Sequence, residues 1–219
     1  MIMSREVEVI FKNENMEILH LETEPFGTNA YMVICREGGE SVLIDTPGDA
    51  KKIKGLLEPY KVGSILLTHG HMDHTVALEE LYRDLNAPLA AHENDAVQLP
   101  VKPDQLLAGG EQIRCGKINL EVIHTPGHTP GSLCFKTGNY LFSGDTIFPG
   151  GPGKTRSPKE FKQIVSSIEE KIMTLPDDTV ILPGHGEKTD LKTERKLFNN
   201  FRSGRQNFEF SGDVTWLGT

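Results

Sequence analysis

The chain has 219 residues, of which 37% are hydrophobic and 25% charged, and its net charge is −8. This acidic balance argues against nucleic-acid binding, which usually requires a basic face. No apolar run approaches the roughly 20 residues of a membrane span, and Arg5, Glu6 and Glu8 interrupt the start before a signal-peptide core can form. We therefore expect one domain over residues 1–219, in the cytoplasm, with a small molecule as its partner and neither nucleic acid nor membrane.

The first third of the chain alternates short β-like runs with turns. β-branched and apolar residues predict five strands: Val7–Phe11, Met16–His20, Tyr31–Arg36, Ser41–Ile44 and Ser64–Leu67. Gly38 and Gly39 predict a hairpin between the third and fourth of these strands. Leucines recurring at three- and four-residue spacing then predict a helix from Thr75 to Leu85.

The second half continues this alternation. Four further strands are predicted: Asn119–His124, Ser132–Lys136, Tyr140–Ser143 and Thr179–Leu182. Ser157, Pro158 and Glu160 are typical of a helix start, with serine at the N-cap and glutamate completing a capping box. A last helix is predicted over Leu191–Asn200.

Two segments of the first half have weak counterparts in the second. Leu43–Thr46 resembles Ser143–Thr146, and Ile65–His69 resembles Val180–His185. Each of the four is a short strand that ends in a polar residue and a turn. Two similar β-rich halves, each covered by helices, predict an α/β sandwich whose strand ends converge on a central cleft.

The densest group of candidate functional residues is Thr-His-Gly-His-Met-Asp-His, which starts at Thr68. His69 and His71 are two residues apart, so at the end of a strand their side chains can point the same way. Asp73 and His74 are expected in the following turn, where they can face a second ion. The pattern therefore indicates a metal site.

Three other candidates lie in turns rich in glycine and proline. His128 is in Thr-Pro-Gly-His-Thr-Pro-Gly, Asp145 in Ser-Gly-Asp-Thr, and His185 in Pro-Gly-His-Gly. Loops over a rigid sheet are the usual place for functional side chains. The remaining histidines and the cysteines are predicted to be structural, the cysteines as thiols of a reducing compartment; they are His20, His92, His124, Cys35, Cys115 and Cys134.

These motifs, in this order, resemble the metallo-β-lactamase superfamily and, within it, the glyoxalase II-like hydrolases. The resemblance extends from Gly27 to Gly186. It implies a four-layer αββα sandwich made of two similar halves, with two divalent metal ions, Zn²⁺ first and Fe or Mn as alternatives. The metal ligands that it implies are His69, His71 and His128 for the first ion, Asp73, His74 and His185 for the second, and Asp145 as a bridge between them.

The charges and chemistry of such a site favour hydrolysis of an anionic substrate. Two divalent ions, two carboxylates and one hydroxide leave a net charge of about +1. Paired ions can lower the pKa of a bound water to roughly 7 and place hydroxide beside a carbonyl. Asp73 can also orient this water, and Asp45 is a candidate acceptor for the N–H of a ligand histidine. Lys154 and Arg156 either bind a substrate carboxylate or belong to a solvated loop.

The resemblance therefore implies a hydrolase of a small thioester or ester. Only a short segment follows His185, so we expect a short form without the C-terminal helical domain of full-length glyoxalase II, which leaves the role of glutathione open. The alternative is a persulfide dioxygenase-like enzyme, which uses one iron held by residues matching His69, His128 and Asp145. Two histidines and one carboxylate are also the ligand set of non-haem iron oxygenases, and the motifs do not choose between these enzymes.

Overall fold

Two β-sheets form the centre of the protein. The computed structural model describes residues 7–204 and 209–217, so Arg5 and Glu6 lie outside the described residues. The first sheet contains, in spatial order, β1 (Glu8–Lys12), β2 (Met16–Thr23), β3 (Thr28–Cys35), β4 (Glu40–Ile44), β5 (Lys61–Leu66), β6 (Leu89–His92) and β7 (Gln105–Leu107). The later strands are β8 (Gln112–Cys115), β9 (Ile118–His124), β10 (Leu133–Thr137), β11 (Tyr140–Gly144), β12 (Ile147–Phe148), β13 (Gly151–Pro152), β14 (Val180–Pro183) and β15 (Thr189–Asp190).

The second sheet has the order β15-β14-β11-β10-β9-β8, and β12 and β13 form a separate two-stranded ribbon. The helices are α1 (Ala50–Leu57), α2 (Met72–Thr75), α3 (Leu78–Leu85), α4 (Glu93–Ala96), α5 (Pro158–Ser167) and α6 (Leu191–Gly204). A π-helical turn over Ile168–Ile172 continues α5. None of the helices in the described part of the chain has the length and apolar character needed to cross a membrane.

Three hydrophobic clusters separate four layers of secondary structure. Because side chains alternate across a strand, Tyr31 and Val33 of β3 pack in the cluster between the two sheets. Met32 of the same strand packs with residues of α1 and α3 on the outer face of the first sheet. Residues of α5 and α6, among them Phe161 and Phe198, cover the outer face of the second sheet. The predicted αββα sandwich is therefore confirmed.

The sequence echo corresponds to a repeated β-α-β unit. β4 pairs in parallel with β5 after the crossover through α1, and β11 pairs in parallel with β14 after the crossover through α5. Asp45 and Asp145 follow the first strand of each unit, while His69 and His185 follow the second. Since the carboxyl ends of parallel neighbours lie at the same edge of a sheet, the repeat brings these four residues to one edge of the sandwich.

The helix predicted from Thr75 to Leu85 is divided in the structure. Ala77 has φ −94° and ψ 5°, outside the helical range, and α3 starts only after it. Its N–H donates to the carbonyl of Thr46, and the N–H of Thr46 donates to the carbonyl of His74. These two bonds tie the segment to the loop after β4, so Asp73 and His74 lie in α2 and not in the predicted turn.

Candidate metal centre

The structure brings all seven predicted ligands together at the shared edge of the two sheets. Three combinations of three residues have potential ligand atoms that lie within 4.8 Å of one another. These combinations are His69, His71 and His128; His69, His74 and Asp145; and Asp73, His74 and His185.

The first combination consists of three imidazole rings that are nearly perpendicular to one another, with interplanar angles of 84–87°. Nδ1 of His71 lies 3.1 Å from Nε2 of His69 and 2.9 Å from Nε2 of His128. Nδ1 of His128 donates to the carbonyl oxygen of Lys154 at 2.8 Å, which fixes the tautomer and leaves Nε2 with its lone pair facing the other two rings. Converging ring nitrogens of this kind fit one bound cation.

The third combination contains two histidines, His74 and His185, and the carboxylate of Asp73. Nε2 of His185 lies 3.1 Å from Oδ2 of Asp73 and 3.3 Å from Nε2 of His74. On the far side of the His74 ring, Nδ1 donates to Oδ2 of Asp45 at 2.8 Å. Asp45 therefore directs Nε2 of this histidine into the cluster, which is the contact expected for it from the sequence.

Asp145 lies between the first and the third combination. Its Oδ2 is 3.3 Å from Nε2 of His128, and its Oδ1 is 3.3 Å from Nε2 of His74. Oδ1 is buried and accepts no hydrogen bond of normal geometry from the described residues. A buried carboxylate oxygen without a donor is costly, and a metal cation at this position would satisfy it.

The electrostatics of the cluster suit cation binding. Burial and the neighbouring imidazoles lower the pKa of His69 well below its ordinary value, and burial lowers that of His71. Burial also acts to lower the pKa of His74, but the carboxylates of Asp45 and Asp145 outweigh it and raise this pKa to about 10. A field that keeps a proton on an imidazole also stabilises a metal ion in place of that proton.

The carboxylates of the cluster are held in their anionic form. A hydrogen bond from His185 lowers the pKa of Asp73 to about 2. Burial acts to raise the pKa of Asp145, but nearby His74 outweighs this effect and the net shift is downward. Anionic carboxylates and neutral imidazoles are the donor types that divalent Zn, Fe and Mn accept.

Two glycines make room for Asp145. A Cβ atom on Gly184 would collide with Oδ1 of Asp145 and would lie 2.6 Å from Cε1 of His74. A Cβ on Gly153 would collide with the carbonyl oxygen of Asp145. The glycines noted in the sequence around the candidate ligands therefore permit a close approach of backbone to the cluster.

Asp95 contributes to the site although the sequence analysis did not select it. It lies in α4, is 1% exposed, and its Oδ2 accepts hydrogen bonds from the N–H of Gly70 at 2.9 Å and from Oγ1 of Thr129 at 2.7 Å. Its Oδ1 accepts from the N–H of Gly131 at 2.9 Å. One carboxylate thus connects the loop of His69 and His71 to the loop of His128.

A cavity of about 500 Å³ opens onto the cluster. Its walls include five of the seven clustered residues together with Phe148, Lys154, Arg156 and Asp213. Nη2 of Arg156 lies 3.4 Å from Nε2 of His71, whereas Nζ of Lys154 pairs with Asp213 at 3.1 Å. Both basic residues for which substrate binding or a solvated loop was considered therefore lie at the cavity, Arg156 beside the cluster and Lys154 paired with a residue of the C-terminal segment.

Buried Glu194 of α6 attaches the C-terminal segment to the loop that follows Asp145. Its Oε2 accepts from the N–H of Gly150 at 3.0 Å and from Nε1 of Trp216 at 3.2 Å. The N–H of Trp216 donates to the carbonyl of Gly150 at 2.7 Å. This buried glutamate, which the sequence analysis also missed, holds one wall of the cavity in place.

The other histidines and the cysteines lie outside the cluster. His92 and His124 stack on each other with ring centroids 4.0 Å apart, and Nε2 of His20 lies 2.7 Å from Oδ1 of Asn29. The three cysteines are buried and free. These contacts agree with the structural roles predicted for both residue types.

Comparison with known proteins identifies the family. Residues 23–185 match the family model described as the metallo-beta-lactamase superfamily, so the chain belongs to this superfamily. It is 33% identical to the probable metallo-hydrolase YqgX of Bacillus subtilis (strain 168), over 82% of this chain and 94% of that protein. It is 30% identical to the hydroxyacylglutathione hydrolase GloC of Haemophilus influenzae, over 71% of this chain and 84% of the relative.

A solved structure supports the same assignment. The crystal structure of ETHE1 from Myxococcus xanthus superposes with a TM-score of 0.72 at 26% identity, over 88% of this chain and 87% of that chain. The fold, the His/Asp cluster and these relatives define a metal-binding protein of the metallohydrolase superfamily.

Proposed function

We propose that the protein is a dinuclear metallohydrolase that cleaves a small anionic thioester or ester. The observation that carries this proposal is the position of Asp145 between two groups of ligand atoms, in the lining of a cavity that also contains Arg156. The similarity to GloC, whose name specifies an acylated thiol as substrate, favours a thioester.

The proposed ligand sets follow the two groups of converging atoms. His69, His71 and His128 would hold one ion, Asp73, His74 and His185 would hold the other, and Asp145 would contact both. When bound, such a pair supplies Lewis-acid polarisation of a carbonyl and acidifies a water molecule. Zn²⁺ fits this donor set, and Fe or Mn can replace it.

The protein's own groups position the reactants. Asp73 lines the cavity and stays ionised because of its low pKa, so it can orient the attacking water by accepting a hydrogen bond. Arg156 can bind a substrate carboxylate through its planar guanidinium, with Lys154 adding charge at the same cavity. The substrate is therefore bound through its anion beside the cluster.

The first experiment is to measure metal content per chain by elemental analysis of protein purified without added metal or chelator. We expect two equivalents of zinc, or a mixed pair with iron or manganese, together with hydrolysis of acyl thioesters. A protein that binds no metal and has no activity after reconstitution with Zn²⁺, Fe²⁺ or Mn²⁺ would contradict the proposal.

Changing Arg156 to glutamine tests how the substrate is bound. Loss of a charge-assisted hydrogen bond costs about 1.5–3 kcal/mol, so we expect kcat/KM for a carboxylate-bearing thioester to fall roughly 10- to 100-fold. A neutral thioester should be affected much less. Exposed Lys159, at the start of α5, provides a matched control as Lys159→Gln. Equal losses on charged and neutral substrates would show that Arg156 does not bind the anion.

The second candidate function is a persulfide dioxygenase-like reaction at one iron. It is supported by the similarity to ETHE1 and by the contact between Asp145 and His128, two of the three residues that this alternative requires. One equivalent of iron alone, with thiol-dependent oxygen uptake, would favour this candidate over the hydrolase.

We also propose that the chain is one domain located in the cytoplasm. The shared core between its two sheets supports the first point. The three free cysteines support the second, because thiols persist in reducing compartments.

A further inference from the structure

A second groove lies next to the metal-centre cavity. It has a volume of about 460 Å³, and His71 lines both spaces. Met72, Val76 and Glu79 are among its other lining residues. The groove and the cavity are therefore adjacent openings that share His71 of the cluster.

Exposed apolar side chains line this groove. Met72 is 68% exposed and Val76 is 51% exposed. They are four residues apart across α2, so they lie on the same side of this short helix. Single exposed apolar residues need no explanation, but these two are adjacent at an opening beside the ligand cluster and give the groove an apolar edge.

The two openings differ in their basic residues. Lys154 and Arg156 line the cavity together with three aspartates, of which Asp73 and Asp145 would be offset by the bound ions and Asp213 pairs with Lys154. Glu79 is the one carboxylate in the described lining of the groove. The described lining of the groove contains neither lysine nor arginine. With the proposed ions bound, Arg156 makes the cavity the more favourable place for a substrate carboxylate, whereas an uncharged apolar group suits Met72 and Val76 in the groove.

We propose that the groove binds the apolar end of a substrate whose anionic end lies in the cavity. This inference rests on the proposed hydrolase function and adds the substrate class. The substrate is a thioester or ester with a carboxylate on one side of the reacting carbonyl and a hydrocarbon group on the other. A carbonyl at the ligand cluster would have the carboxylate in the cavity and the hydrocarbon group in the adjoining groove.

The test uses two series of thioesters with wild-type holoenzyme. One series joins mercaptoacetate to straight-chain acyl groups of increasing length, and the other joins a succinyl group to straight-chain alkyl thiols. Full burial of a methylene corresponds to about a fourfold effect. Because the groove is open to solvent, we expect kcat/KM to rise about two- to threefold per methylene over the first few, then level off, in at least one series.

The Val76→Ser variant tests whether the dependence of kcat/KM on hydrocarbon length arises in the groove. Val9→Ser is its matched control. Val9 is 53% exposed and lies in β1, outside both openings. We expect Val76→Ser to lower the gain per methylene and Val9→Ser to retain it, with thermal unfolding used to check that both variants are folded. Met72 is unsuitable because it lies between His71 and Asp73.

The outcomes separate this inference from the function on which it rests. Hydrolysis with no dependence on chain length in either series would overturn the apolar site and leave the hydrolase in place. A length dependence that Val76→Ser does not change would also overturn it, since the hydrocarbon would then bind elsewhere. Absence of hydrolysis of every thioester by metal-loaded protein would contradict the hydrolase itself.

Discussion

Asp145→Ala should release one metal ion per chain and abolish turnover while the fold persists. Asp145 is the only one of the seven clustered residues with oxygens 3.3 Å from Nε2 of both His128 and His74, so it is the group expected to link two ions. We expect kcat/KM to fall at least 1,000-fold, which corresponds to about 4 kcal/mol of transition-state stabilisation. Elemental analysis measures the metal loss, and circular dichroism checks the fold.

Two further variants make this prediction specific. Asp145→Asn keeps the shape and one oxygen, so it should retain more metal than the alanine variant but still lose most activity. Asp213→Asn removes an exposed carboxylate from the same cavity and should keep both ions. If Asp145→Ala retains two ions and wild-type turnover, the proposed bridge is wrong.

The ligand cluster was predictable because its signals are local. Each ligand lies in a short motif at or just after a strand end, and the echo between Leu43–Thr46 and Ser143–Thr146 reflects a real β-α-β repeat. Because the two strands of each unit pair in parallel, their carboxyl ends and the residues that follow them lie at the same edge of the sheet. Motif spacing and strand order were therefore sufficient to place these residues at one edge of the sandwich.

Features that depend on distant contacts were not predictable in this way. The division of the helix at Ala77 depends on backbone bonds to Thr46, which lies thirty-one positions earlier in the chain. Helix α1 was missed as well: its N-cap, Asp49, has a left-handed backbone with φ 61°, and the helix has only eight residues. Short elements of this kind are stabilised by tertiary packing more than by propensity.

Asp95 shows the same limit for the site. In the sequence it is one of two carboxylates in His-Glu-Asn-Asp, a pattern typical of a solvated helix surface. Only the folded structure shows that Gly70, Thr129 and Gly131 all donate to its carboxylate. A single buried acceptor for donors from two loops leaves no periodic or local signal in the sequence.

Asp95→Asn should weaken metal binding by His69, His71 and His128 more than metal binding by the group of Asp73, His74 and His185. The amide keeps one acceptor oxygen but places an NH₂ group against backbone or hydroxyl donors, so the loops of His71 and His128 lose their common restraint. Changes to groups that orient metal ligands typically cost 10- to 100-fold in affinity, and we expect a loss of that size for one ion. Chelator competition followed by elemental analysis measures it independently of activity.

Asp95→Ala should have the larger effect on stability. It leaves the N–H groups of Gly70 and Gly131 buried without their acceptor, at about 1–3 kcal/mol each, and we expect the free energy of unfolding to fall by about 3–5 kcal/mol. The matched control is Glu93→Gln in the same helix, where the side chain is exposed.

If Asp95→Asn binds both ions as tightly as the wild type does, this carboxylate stabilises the fold but does not position the ligands. A selective loss of one ion, with Glu93→Gln unchanged, would instead establish that the ligand loops depend on a residue that contacts no metal.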